Sequence, residues 1–134
     1  MYTAKTVMKS EHVFEGTVGD HTVVMDTGGT PKAGQSPMEL LLSAVAGCAS
    51  VDVVEIMRKK RRTVNGLTVE TRAHRRDEPY PRIFDELHLH FVLASPDAKP
   101  HELDQAVALS LDKYCSVAGM LREAAKITHS SEIV

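Results

Sequence analysis

Residues 36–62 read "SPMELLLSAVAGCASVDVVEIMRKKRR", and no other stretch limits the possible folds as much. Ser36 stands as an N-cap, Pro37 takes the first helical position and Glu39 completes a capping box, so a helix starts here and Glu39 has a structural role available. From Leu40 to Ala49 the residues are apolar or small on every side, which predicts burial all round and not along a single stripe. The pattern runs to about residue 60, roughly 36 Å at about 1.5 Å per residue, too long for a domain of this size to enclose comfortably. The helix is therefore expected to be central, either within the domain or within an oligomer. Cys48 lies in its most apolar part. A thiol so placed is usually a small buried hydrophobe, and the rest of the chain must show whether it does more.

The chain has 134 residues and no break in composition, which predicts one domain over 1–134. It is 43% hydrophobic and 25% charged, enough apolar material for a core. A net charge of −2 argues against a nucleic-acid partner, whose footprint is strongly basic. The run Arg58 to Arg62 is read as a helix C-terminus, where cations offset the carbonyl end of the dipole, followed by a solvated loop. The opening "MYTAKTVMKS" lacks the apolar centre of a secretory signal. The uncharged apolar run between Glu39 and Asp52 is shorter than the roughly 20 residues that cross a bilayer. A soluble, cytoplasmic protein with no membrane partner is expected. In a reducing cytosol, two cysteines without C-x-x-C spacing are not a stabilising framework.

The segments "YTAKTVMK", "HVFEGTV" and "HTVVMD" alternate like half-buried strands, with Gly19-Asp20 as a turn, and predict three antiparallel strands within residues 2–26. The stretch "TGGTPKAGQ" lacks phosphate-loop spacing and reads as a connecting loop. After the long helix, Asn65-Gly66 is read as a turn, and "LTVETRAH" and "IFDELHLHFVLAS" as a second antiparallel group. Leu103, Ala106, Val107, Leu111 and Tyr114 recur at helical spacing; "SVAGMLREAAK" is a second short helix and "ITHSSEIV" a last strand. The fold class is thus α/β (α+β).

Among chemistry-bearing residues, Cys115 falls where one helix gives way to the next, with Ser116 placed to cap the second; thiols near helix N-termini tend to have lowered pKa values. His88 and His90 share a strand face opposite Leu87, Leu89, Phe91 and Leu93, and His74 lies on the presumed neighbouring strand. Imidazoles so placed can bind zinc or copper, but alternation alone already demands a polar face, so no metal is called. No G-x-S-x-G elbow is present for a serine hydrolase.

The segments "SPMELLLSAVAGC" and "KYCSV", in the order strands, cysteine-bearing long helix, strands, cysteine-bearing helix and terminal "ITHS" strand, resemble the OsmC/Ohr family over nearly the whole chain. The details "SVDVVEIM" and "KYCSVAGML" are most similar to its YhfA-like branch. The resemblance implies two β-groups around long buried central helices in an intertwined homodimer, which accounts for a helix apolar on all faces. It also implies thiol-dependent hydroperoxide reduction without a cofactor. Cys48 would attack the peroxide and become a sulfenic acid, Cys115 would condense with it to a disulfide, and an external dithiol reductant would restore the pair. A non-enzymatic binder of a small apolar ligand, or a redox sensor, on the same fold is the alternative.

Two departures bear on activity. Met38 stands where the hydroperoxide reductases have a glutamate, and Glu39 comes one position later, about 100° round the helix. No arginine occurs in residues 1–57, so Lys5, Lys9 or Lys32 would have to replace the family's arginine, without its bidentate fork. Glu55, two helical turns beyond Cys48, is a further possible neighbour. Slower peroxide chemistry than in relatives with the Arg and Glu pair is expected.

Overall fold

The computed structural model describes all 134 residues, which divide into two compact units, Met1–Leu41 and Leu42–Val134. In the first, β1 (Lys5–Met8), β2 (Val13–Val18) and β3 (His21–Asp26) form an antiparallel meander in that order. Val18 pairs with His21, leaving the two-residue turn Gly19-Asp20, where Gly19 adopts φ +60°, a left-handed conformation that favours glycine.

The only fully buried residue of this unit is Asp26. Its Oδ1 accepts hydrogen bonds from the Gly28 and Gly29 amides at 2.9 and 2.7 Å, and its Oδ2 accepts from Ala33 N–H at 2.9 Å. The sequence predicts a plain connecting loop here; a buried carboxylate organises it instead. A side chain at Gly29 would run into that carboxylate. The loop delivers the chain to α1 (Pro37–Lys59) through the expected capping box: Ser36 N–H donates to Glu39 Oε1 at 3.0 Å, and Glu39 N–H donates to Ser36 Oγ at 3.1 Å. Lys32 Nζ also donates to Glu39.

In the second unit β4 (Gly66–Arg75) and β5 (Phe84–Ala94) pair antiparallel, as expected, but β6 (Lys126–Ile133) joins β5 in parallel, so this sheet is mixed. Parallel pairing needs a long crossover. It is supplied by α2 (Pro100–Leu109), a π-helical turn (Ser110–Tyr114) and α3 (Ser116–Leu121). Asn65-Gly66 is not a reversal, because Gly66 already pairs with Ala94 at the start of β4.

Strand alternation sends Leu87, Leu89, Phe91 and Leu93 into the core with Val45, Ala49, Val53 and Met57 of α1 and Leu103, Ala106 and Val107 of α2. Those four α1 residues recur every fourth position, so within one chain the helix buries a single stripe and not all its faces. Val51 is 62% exposed, and Leu40, Leu41 and Ala46 are only half-buried. The whole helix, as distinct from its uncharged run, is long and apolar enough by length and composition to cross a membrane. The basic run after it is not all solvated either, since Arg62 makes a bidentate pair with Glu102, Nε to Oε1 at 2.9 Å and Nη2 to Oε2 at 3.1 Å.

Asp26 is held down at a pKa of about 2 by the Ala33, Gly28 and Gly29 amides, against an ordinary value of 3.8. Its stabilising contribution is therefore present above the unfolded-state value and lost as pH falls through the folded one. Asp26→Asn is expected to lower denaturant resistance at pH 7, and the gap to wild type should close on going from about pH 4 to pH 2. A gap that persists at pH 2 would contradict this account.

Candidate active site, a thiol pair

The π-helical turn decides where the second thiol points. Cys115 N–H donates to Ser110 O at 2.7 Å, an i→i+5 bond, so one extra residue is wound into the turn that ends α2. Beyond it Cys115 leaves helical geometry, with ψ 105°, and itself caps α3: Ala118 N–H donates to its Sγ at 3.4 Å. Ser116, read as the cap from sequence, is instead the first residue of the helix. The carbonyls loosened by the turn are satisfied by Arg122, whose Nη2 donates to Leu111 O at 2.8 Å and Nη1 to Asp112 O at 2.9 Å.

This geometry places Cys115, 2% exposed, against α1, with Sγ 3.8 Å from Val45 O and beside Cys48, near enough for Cys48 to act on its ionisation. Cys48 is half-buried and free. Two cysteines 67 residues apart in sequence thus meet as an unequal pair, one accessible and one enclosed. Burial pushes the Cys115 thiol up to about 11 from an ordinary 9.0; Cys48 and the Asp52 carboxylate push the same way, and the Ala118 amide opposes them. A helix N-terminus is expected to lower a thiol's pKa, but α3 contributes one amide bond and desolvation outweighs it.

Asp52 is the group that sequence reasoning passed over. It lies one turn beyond Cys48 on the same helix and accepts from Ser110 Oγ, 2.9 Å from its Oδ2. Ser110 is fully buried. The spacing of four residues is legible in the sequence and closer than the spacing of seven that singled out Glu55. Asp52 and Glu55 line a groove of about 470 Å³ with Ile56, Lys59, Leu109 and Tyr114. Glu55 is exposed on that groove.

Most of the other candidates are otherwise engaged. Glu39 is committed to Ser36 and Lys32, Lys9 faces Glu15 at 3.9 Å, and Lys5 lies exposed on β1 in the first unit. On the solvent face of the second sheet, His74 Nδ1 bonds Asp85 at 2.7 Å, which raises the imidazole's pKa. His88 bridges Thr128 and Ser130 at 2.7 and 2.9 Å, and His90 bridges Ser130 and Glu132 at 2.6 and 3.2 Å. No three His, Cys, Asp or Glu side chains converge to hold a metal.

A mixed α/β chain with a cysteine on a long central helix and a second at a helix junction defines a class in which a thiol pair is built into the core. The family described as OsmC-like protein matches residues 28–130, and the chain belongs to that family. It is 45% identical to Protein YhfA of Escherichia coli (strain K12) over 114 residues, 85% of this chain and 84% of that one. A hypothetical protein from Aquifex aeolicus VF5 shares 29% identity at a TM-score of 0.89, over 100% of this chain and 96% of that one. The organic hydroperoxide resistance protein OhrB of Bacillus subtilis shares the fold at 13% identity and a TM-score of 0.69, over 97% and 98% of the two chains.

In a Cys48→Ser protein, thiolate absorbance from Cys115 is expected to stay low at pH 8 and to titrate above the ordinary 9.0, because burial remains, and to return to about 9 in denaturant. A native midpoint at or below 9 would contradict the burial argument.

Proposed function

We propose that this protein reduces hydroperoxides through Cys48 and Cys115, and the observation that carries the reading is the packing of an enclosed thiol against the helix that bears an accessible one. Cys48, as thiolate, attacks the O–O bond and displaces the alkoxide, which leaves as alcohol after taking up a proton, and Cys48 becomes a sulfenic acid. The Cys115 sulfur attacks the sulfenic sulfur; water leaves, carrying the thiol proton, and a disulfide forms. An external dithiol, of the kind a reducing cytoplasm supplies, is oxidised as it restores both thiols. The roles follow from the asymmetry. A peroxide reaches the half-exposed residue, and an enclosed neighbour traps the sulfenic acid before further oxidation. Membership of the OsmC-like family, together with the hydroperoxide-resistance name borne by a protein of the same fold, supports the assignment.

The same reading includes a homodimer. Burying a Val or Leu side chain fully contributes about 1.5–3 kcal/mol, and α1 leaves Val51 largely exposed with Leu40 and Leu41 half-covered. A second copy of the helix is the natural cover. A groove walled by Ile56, Leu109 and Tyr114 favours a second reading, in which a small apolar molecule binds without turnover.

Consumption of cumene hydroperoxide with excess dithiothreitol separates the two. Wild type is expected to turn over repeatedly, Cys48→Ser to fall at least about 100-fold, and Cys115→Ser to lose protection against overoxidation while keeping the first step. Wild-type consumption no faster than that of Cys48→Ser would overturn the enzymatic reading.

A further inference from the structure

Ser110 is fully buried and opens the π-helical turn. Its hydroxyl lies 2.9 Å from Asp52 Oδ2 and 3.3 Å from Ala49 O, both on α1 and both within one turn of Cys48. Its carbonyl accepts the Cys115 amide at 2.7 Å. A single residue therefore links the cysteine-bearing stretch of α1 to the backbone of the second cysteine. The short contact is charge-assisted, with the hydroxyl donating to a carboxylate, and such bonds are stronger than neutral ones. We propose that Asp52 is the positioning residue of the thiol pair: through Ser110 it anchors the turn that presents Cys115 to Cys48.

The charges around Cys115 bear on the same role. The titratable groups acting on Cys115 are Cys48 and Asp52, both from α1, and both favour its neutral form. Burial is the main cause that keeps the enclosed sulfur as a thiol, and the Asp52 carboxylate adds to it. Glu39, the family-like carboxylate of the helix start, is tied to Ser36 and Lys32 and leaves this role open.

The proposal rests on the thiol-pair reading for its catalytic meaning, but its test needs no peroxide. Diamide accepts the two hydrogens that Cys48 and Cys115 lose as their disulfide closes, and acid-quenched mass spectrometry follows closure. Ser110→Ala removes the anchor and keeps the charge; Asp52→Ala removes both from the half-exposed side, so the result does not hang on one buried substitution. Both are expected to close roughly tenfold or more slowly than wild type, because small misplacements of reacting groups carry large rate penalties. In a Cys48→Ser background, Asp52→Asn is expected to lower the Cys115 thiolate midpoint, with Asp52→Glu restoring it, a response that a merely structural residue would not give. Wild-type closure rates in Ser110→Ala and Asp52→Ala, or a Cys115 midpoint indifferent to Asp52→Asn, would overturn the proposal. Loss of peroxide turnover with these responses intact would instead count against the enzymatic reading alone.

Discussion

One backbone hydrogen bond, Cys115 N–H to Ser110 O, sets where the second thiol of this chain stands. A regular helix would bond residue 115 to residue 111 and carry the cysteine about 100° further along a continuous spiral. The wider turn instead ends α2, sets Cys115 in an extended conformation and starts α3 on the thiol. Such turns are uncommon because they loosen the carbonyl ladder, and here Leu111 O and Asp112 O are met by Arg122, while the Ser110 hydroxyl donates to Asp52. Arg122, which is outside the thiol contact, therefore bears on it through the turn.

The sheet and helices supply what that turn is braced against. Leu87, Leu89, Phe91 and Leu93 form a continuous apolar floor, and Val45, Ala49, Val53 and Met57 set α1 upon it. Cys48 adjoins Ala49, so the helix cannot rotate the thiol away from Cys115 without unseating its buried stripe. Truncating a core residue of this kind typically costs about 2–5 kcal/mol, which makes the orientation of α1 a consequence of packing and leaves the thiols to occupy positions already fixed. The polar face of the same sheet carries the histidines, whose nitrogens are taken up by Thr128, Ser130, Glu132 and Asp85.

Much of this was legible in the residues. The capping box at Ser36 and Glu39, the meander of the first 26 residues and the inward leucines of β5 each follow from local pattern, because period-2 and period-3.6 spacing and cap chemistry act over a few residues. What escaped depends on contacts distant in sequence or on backbone events without a composition of their own. The segment "DQAVALSLDKYC" reads as unbroken helix, and nothing in it announces an extra residue in the turn. The parallel pairing of β6 is a property of the crossover and not of its own eight residues. Asp26 and Asp52 were passed over for a common reason: a carboxylate's partners are amides or hydroxyls brought to it by the fold. The apolar breadth of α1 predicts burial on every side, and one chain covers only a stripe of it.

The central claim is that the fold makes Cys48 and Cys115 a redox couple, and its most direct measurement is the product of a single oxidation. Reduced protein is treated with one equivalent of cumene hydroperoxide, and its intact mass and non-reduced peptide map are recorded. A loss of about two mass units, with one peptide joining Cys48 to Cys115 in the same chain, is the predicted result. Oxygen adducts on Cys48 alongside a free Cys115, or two thiols unchanged after the peroxide is added, would contradict it.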